Sequence, residues 1–333
     1  VNRSSRVDAE RHLYSDITCT WTRNRPCLVP SLVNTLLHRS DVANYVQRLA
    51  LLGRNMFSDA SAHIPSRMVD QQSACRLIDA SGTSFSDDWE GQLLAGRVDA
   101  YVALILLRSE RLTSLTMEWS FTRHTRLVGD LLRRNASKYM RLRSVQHHSF
   151  TRKPVGARTS DALSFFYLPV LEELTVHLDN PRTMVWPAAD PPCPSMLTSL
   201  RLGGIREGQL AFVLSTTKNL KRLHWDWHYK SAFRHESNQP FLDVQAICDN
   251  LVPVRHSLKE LVIQANCEID DGMAHPWIMV RGSPTKMLDF RLDKLEIPLA
   301  FLVTFNPSNR IRLQDVVPRS IKTLVINLGL FPH

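Results

Sequence analysis

The residues best suited to chemistry in this 333-residue chain are histidines, paired aspartates and cysteines. The densest group is His224-Trp-Asp-Trp-His228. A His-x-x-x-His pair can bind zinc when it lies on a helix, where residues four apart share a face. Here the flanking residues, Leu220-Lys-Arg-Leu223-His-Trp225, follow a two-residue period that predicts a strand. Four residues of strand span about 13 Å, so His224 and His228 are too far apart to share an ion. His147-His148 fall in a basic stretch and are expected to face solvent. His256-Ser257 sets a histidine beside a hydroxyl, with no nucleophile elbow to accompany it. Asp87-Asp88 and Asp270-Asp271 could work as paired acids, but aspartate is also favoured at helix caps and turns. The six cysteines, at 19, 27, 75, 193, 248 and 267, show no Cys-x-x-Cys spacing, which argues against a zinc ribbon or a redox motif. Neither a Gly-x-Gly-x-x-Gly nor a Walker loop occurs, and the lone pair Gly203-Gly204 is explained by a turn. The expectation is a protein that is not an enzyme, with no catalytic residue, no metal and no cofactor.

With no reactive constellation to position, organisation becomes the main signal. The stretch Gly208–Trp227 joins a short apolar helix, Leu210–Leu214, to the strand-like phrase Leu220-x-x-Leu223-x-Trp225. The phrase recurs as Leu112-Leu115-Met117, Leu171-Leu174-Val176, Leu197-Leu200-Leu202, Leu258-Leu261-Ile263, Leu292-Leu295-Ile297 and Ile321-Leu324-Ile326. Weaker copies are Val46-Leu49-Leu51 and Leu142-Val145. From Leu112 onward the copies start 23 to 38 residues apart. Leucine-rich repeats run about 20–29 residues and combine a strand with a helix or 3-10 turn. The predicted fold is therefore α/β, a leucine-rich-repeat solenoid (a horseshoe) of irregular repeats, with parallel strands on the concave side and helices outside. Such a repeat buries its apolar face only by stacking on its neighbours. A doubly wound sheet is the competing architecture.

Along the chain, residues 1–12 read as a polar lead-in and 13–333 as a single repeat domain. Residues 13–52 form its helical N-terminal portion, with a helix from Pro30 to Leu37, a second near Asp41, and Val46–Leu51 as the first strand. Residues 53–86 read as an insertion with a helix around Arg67–Ile78, and Arg97–Arg108 as the most apolar helix. Thr125–Arg134 and Phe241–Leu251 are further helices. Residues 180–195 hold five prolines and must be a loop. Residues 228–239 read as a polar insertion and His275–Lys286 as another loop.

Lys and Arg exceed Asp and Glu by 41 to 32, a net charge of +9. Between Phe121 and Ser160 lie Arg123, Arg126, Arg133, Arg134, Lys138, Arg141, Arg143, Arg152, Lys153 and Arg158, opposed only by Asp130. That segment could attract nucleic acid or an acidic partner, although its few aromatics do not suit stacking on single strands. The longest apolar run, near Val98–Leu107, is too short to span a bilayer. The opening VNRSSRVDAERH does not read as a signal peptide. A cytoplasmic or nuclear protein with reduced thiols is expected.

Strand parity selects the candidate binding residues. If Leu223 and Trp225 point into the core, Arg222, His224 and Asp226 point outward. The same parity exposes Glu173, Thr175, His177, Ser199, Arg201, Glu260, Gln264, Lys294, Glu296, Thr323 and Asn327. In a stacked solenoid these rows would form one concave surface, the kind such proteins use for binding. The partner set proposed on these grounds is Glu173, His177, Arg201, Arg222, His224, Asp226, Glu260, Gln264, Lys294 and Glu296. The bland alternative is a solvated outer face.

Several stretches also resemble a known family. Arg11-His-Leu-Tyr-Ser-Asp-Ile17, Leu36-Leu37-His-Arg39 and Tyr45-Val46-Gln-Arg-Leu49 are similar to the start of the repeat region in ascomycete F-box proteins. Leu168-Pro169-Val-Leu171-Glu-Glu-Leu174, Leu214-Ser-Thr-Thr-Lys-Asn-Leu220-Lys-Arg-Leu223 and Lys294-Leu295-Glu-Ile297-Pro298 are similar to its later phrases. The resemblance covers nearly the whole chain but not the F-box itself, which would precede Arg11. It implies the substrate-recognition part of a cullin-based ubiquitin ligase subunit, docking to the ligase adaptor only if an F-box lies upstream. The alternatives are a nucleic-acid or acidic-partner binder acting through residues 121–160, or an α/β enzyme of unknown type.

Overall fold

Apolar residues two apart make a strand with one buried face, and leucine three positions earlier closes the turn that enters it. Every copy of the phrase but the last does this in the computed structural model, which describes residues 3–22, 26–53, 64–122, 126–148, 158–178, 183–230, 239–268, 278–303 and 312–329. The copies from Val46-Leu49-Leu51 through Leu292-Leu295-Ile297 are buried at every apolar position. Contacts group the chain into two compact units. Val1–Phe150 and Ser160–Leu171 make one; Glu172–His333 make the body of the other.

The first unit runs α1 (Arg3–Ser15), β1 (Asp16–Thr20), α2 (Val29–His38), α3 (Ser40–Ala43), β2 (Arg48–Leu52), α4 (Gln71–Ala80), α5 (Ser86–Leu94), α6 (Val98–Arg108), β3 (Ser114–Met117), α7 (Arg126–Arg134), β4 (Ser144–His147) and α8 (Arg158–Leu163). Its strands lie in the order β1-β2-β3-β4, all parallel. Ile17, Leu49, Leu115 and Val145 share one register position. Pro30 stands in the first turn of α2, where its missing N–H costs nothing. Asp70 caps α4 by accepting the Ser73 N–H at 3.1 Å. Every residue of α6 from Val98 to Leu107 is buried, which is why its apolar stripe runs all round.

The second unit runs β5 (Glu173–His177), β6 (Ser199–Gly203), α9 (Leu210–Leu214), β7 (Arg222–Lys230), β8 (Phe241–Asp243), α10 (Val244–Leu251), β9 (Glu260–Glu268), β10 (Met279–Arg281), β11 (Lys294–Pro298), α11 (Leu299–Val303) and β12 (Thr323–Asn327). The order β5-β6-β7-β9-β11-β12 is parallel at every step. Leu174, Leu200, Leu223, Leu261, Leu295 and Leu324 fall on one register line. The first five are buried; each contributes about 1.5–3 kcal/mol by leaving water. Sequential parallel strands joined by helices and turns make the fold α/β, with four such strands among the described residues of the first unit and six among those of the second.

Several expectations are corrected. The residues read as a lead-in are helical from Arg3, and the first strand is Asp16–Thr20 rather than Val46–Leu51. That strand, Asp-Ile-Thr-Cys-Thr, alternates correctly but carries no leucine phrase. Phe241–Leu251 is not one helix: Phe241–Asp243 is a strand, paired in parallel with Met279–Arg281 inside the segment read as a loop. Leu324 sits on the buried column's register but is 38 % exposed, so the column is not buried to its end. Among the described residues no helix is long and apolar enough to cross a membrane.

Candidate functional site

On the second unit the outward residues line up by register. Glu173, Ser199, Arg222, Glu260, Lys294 and Thr323 form one row. Thr175, Arg201, His224, Val262, Glu296 and Val325 form the next. His177, Gly203, Asp226 and Gln264 begin the third. Glu173, Arg201 and Arg222 are exposed; Glu260, Gln264, Lys294, Glu296, His177, His224 and Asp226 are half-buried. Parity therefore brings all ten predicted residues to one side of the strands.

Sequence reasoning missed that the charges there are already paired. Arg222 reaches over the small Ser199 on β6, and its Nη2 lies 3.1 Å from Oε1 of Glu173 on β5. Arg201 on β6 grips Asp226 on β7 with a fork, Nε to Oδ2 at 3.0 Å and Nη2 to Oδ1 at 3.4 Å. Lys294 Nζ donates to Glu260 Oε1 at 2.7 Å across β11 and β9, which raises its pKa. His224 Nε2 stands 2.9 Å from Oδ1 of the same Asp226 carboxylate. Burial alone would raise the Asp226 carboxyl; His224 and Arg201 outweigh it and hold it below the usual range. Val262 was also missed. It occupies an outward position between His224 and Glu296 yet is buried, an apolar floor in a polar row.

The Gly203-Gly204 pair has a specific use. Gly204 has φ +83°, and a Cβ on Gly203 would come within 2.5 Å of the His177 ring. The glycines let His177 lie across the turn that leaves β6.

Beneath the strands, Trp225 and Trp227 are both inward and buried. Trp225 Nε1 donates to the Ile205 carbonyl at 3.1 Å. Trp227 Nε1 donates to Glu207 Oε2 at 3.1 Å, and the Arg206 guanidinium lies 4.6 Å from the Trp227 ring. Arg206 also forks onto Glu207 and donates to the carbonyls of Gln239 and Phe241. The adjacent pair Arg206-Glu207, polar and unremarkable in sequence, is thus a buried ion pair that fastens β8 to the back of β7.

The remaining sequence candidates disperse. His228 lies on β7 with His224, as strand residues four apart. Asp87 and Asp88 sit in the first turn of α5, a favourable place for negative charge. His147 is buried against Phe165, 5.3 Å between ring centroids, rather than facing solvent. Asp270-Asp271 lie outside the described residues, as do Arg123, Arg152 and Lys153. In the basic segment Arg133 pairs with Asp130 at 2.8 Å and Arg126 approaches Asp88 at 3.9 Å. Arg134 donates to Ser84 and packs over Phe85. Lys138, Arg141 and Arg143 are exposed. Among the described residues no three His, Cys, Asp or Glu gather as metal ligands. No family model matches the chain, and no curated protein gives a significant match.

Proposed function

We propose that this chain is a protein-binding scaffold of leucine-rich-repeat type, and that its partner docks on the outward rows of β5, β6, β7, β9 and β11. The observation that carries the reading is the charge pattern of those rows. Arg201–Asp226 and Lys294–Glu260 pair opposite signs across neighbouring strands and Arg222–Glu173 across one intervening strand, with Glu296 adding one more acid. A surface that follows a polyanion needs unopposed cations. A row of offset pairs instead suits a partner with its own alternating pattern, where complementarity sets specificity and register. Arg222 is the best anchor, exposed and with a planar fork able to take a second carboxylate. The further step, that the scaffold is the substrate-recognition part of an F-box-type subunit of a cullin-based ubiquitin ligase, rests on the sequence resemblance alone.

The test inverts pairs without breaking them. In Glu173→Arg/Arg222→Glu and Glu260→Lys/Lys294→Glu each ion pair survives while its pattern is reversed. Both variants are expected to melt like the wild type and to lose the partners that wild type captures from its source cell. Retention of the same partners by folded variants would move the site elsewhere. Recovery of a cullin-ligase adaptor with the full-length protein would support the ligase role, and its absence from an otherwise intact complex would remove it.

A further inference from the structure

We propose that the turns entering β7, β9 and β11 form a second docking surface, which takes an acidic segment of a partner protein. The turns are residues 217–221, 255–259 and 289–293, all within the described residues. The leucine that opens each phrase fixes their geometry. Leu220, Leu258 and Leu292 are each 0 % exposed, so residues beside them turn to solvent. Lys218, Lys221, Arg255, Lys259 and Arg291 are all exposed. The Lys259 N–H donates to the Lys221 carbonyl at 2.8 Å, and the Asp293 N–H to the Lys259 carbonyl at 2.8 Å. Lys221, Lys259 and Asp293 therefore stand side by side, about 4.8 Å from strand to strand.

On the outward rows of the same unit opposite charges meet across neighbouring strands, as in Lys294–Glu260 and Arg201–Asp226. At the turns they do not. Among the described residues none of the five cations forms an ion pair. Arg255 donates instead to Nε2 of the adjacent His256, at 3.0 Å. Asp293 is held by Lys322, whose Nζ lies 2.9 Å from Oδ1. Like charges facing each other on adjacent strands are destabilising. Lys221 beside Lys259 is such a repulsion, and a bound anion relieves it. Residues 172–333 carry eighteen Lys and Arg against seventeen Asp and Glu, so the excess at the turns comes from segregation of charge and not from a basic unit.

The chemistry favours carboxylates on a polypeptide over a phosphate chain. Arg255 and Arg291 offer planar forks that take a carboxylate at two points. The single Phe, Tyr or Trp of these turns, Phe290, is 3 % exposed, so nucleic-acid bases find no ring to stack on. Asp289 and Asp293 interrupt the cations at the turn entering β11, where a continuous polyanion would meet its own sign. A peptide can set its acids against the cations and a neutral or basic residue against Asp289. From β7 to β11 the turns cover two strand spacings, about 10 Å, which three extended residues or two helical turns span. The surface shares no residue with the outward rows, so it does not rest on the function proposed above.

The experiment is fluorescence anisotropy with a labelled oligoglutamate peptide and the full chain. Saturable binding is expected, weakening as salt rises. Lys221→Glu/Lys259→Glu is expected to weaken it about tenfold or more with an unchanged melting temperature. Lys138→Glu/Arg141→Glu makes the same change of charge on exposed residues of the first unit, and is expected to leave the affinity within about twofold. Should the turn variant fail to fold, Lys221→Gln/Lys259→Gln removes the charges without adding acids, and is expected to weaken binding about threefold or more. Inorganic polyphosphate and vesicles of phosphatidylserine and phosphatidylcholine are titrated in parallel. Four results would each overturn the proposal: no binding of oligoglutamate, undiminished binding by a folded turn variant, equal loss in the turn and first-unit variants, or tighter binding of polyphosphate or vesicles that the turn variant abolishes.

Discussion

Asp99 is the residue whose environment departs furthest from its sequence appearance. It stands in the first turn of α6, a position that reads as a surface acid at a helix start. In the fold it is buried, and its carboxyl accepts the N–H groups of Leu127 and Val128 at 2.8 and 3.3 Å. It thus caps the first turn of α7 from the neighbouring helix. Burial pushes its pKa from 3.8 up to about 8; the two N–H donors oppose the shift, and Asp161 and Asp130 add to it. A folded pKa above the unfolded one means that the stabilising form is protonated. Its contribution is fully present below about pH 4 and is lost as pH rises through about 8. Asp99→Asn keeps an acceptor oxygen and removes the titration. Denaturant unfolding at pH 5 and pH 8.5 is expected to show a smaller loss of stability for the variant than for the wild type. An identical loss in both would mean that Asp99 is not the titrating group.

At the scale of elements, the strand column gives a contrast that can be measured. Leu261 and Leu324 occupy equivalent places in the same phrase and on the same register line, but Leu261 is 0 % exposed and Leu324 38 %. Leu261→Asp leaves an unpaired charge in the core and is expected to cost about 3–5 kcal/mol. Leu324→Asp is expected to cost about 1 kcal/mol or less. Equal costs would show that β12 is covered. The helical elements were partly legible for local reasons. The apolar run Val98–Leu107 and Pro30 before Leu32 mark α6 and α2 directly. The start of α10 was misplaced because Phe241 and Leu242 are apolar in either state. The decisive mark is Asp243, whose side chain accepts the Ala246 N–H at 2.9 Å and so starts the helix at Val244.

For the whole molecule the main physical quantity is charge. The net +9 is concentrated in residues 121–160, yet Arg126, Arg133 and Arg134 there have local partners. Titration with a single-stranded RNA is therefore expected to show weak binding that falls steeply between about 50 and 200 mM salt, as counterion release requires. Saturable sub-micromolar binding at physiological salt, lost on Arg141→Glu/Arg143→Glu, would instead make the basic segment a site in its own right.

The repeated strand, its apolar register and most of the outward rows could be read from the sequence, though not Val262. These follow from period and parity, which are properties of neighbours along the chain. Leu174, Leu200, Leu223, Leu261 and Leu295 could be aligned from their phrases alone. Which charges pair was decided only in three dimensions, because Arg222 meets Glu173 across two strand spacings that no local pattern encodes. The same holds for Arg206 and Glu207, adjacent in sequence and ordinary until Trp227, β8 and Asn250 close around them. It holds again for Leu324, which has the phrase of a core residue but is partly open to solvent on β12. Burial belongs to what packs on a residue from both sides, and a phrase in the sequence specifies only the side it presents.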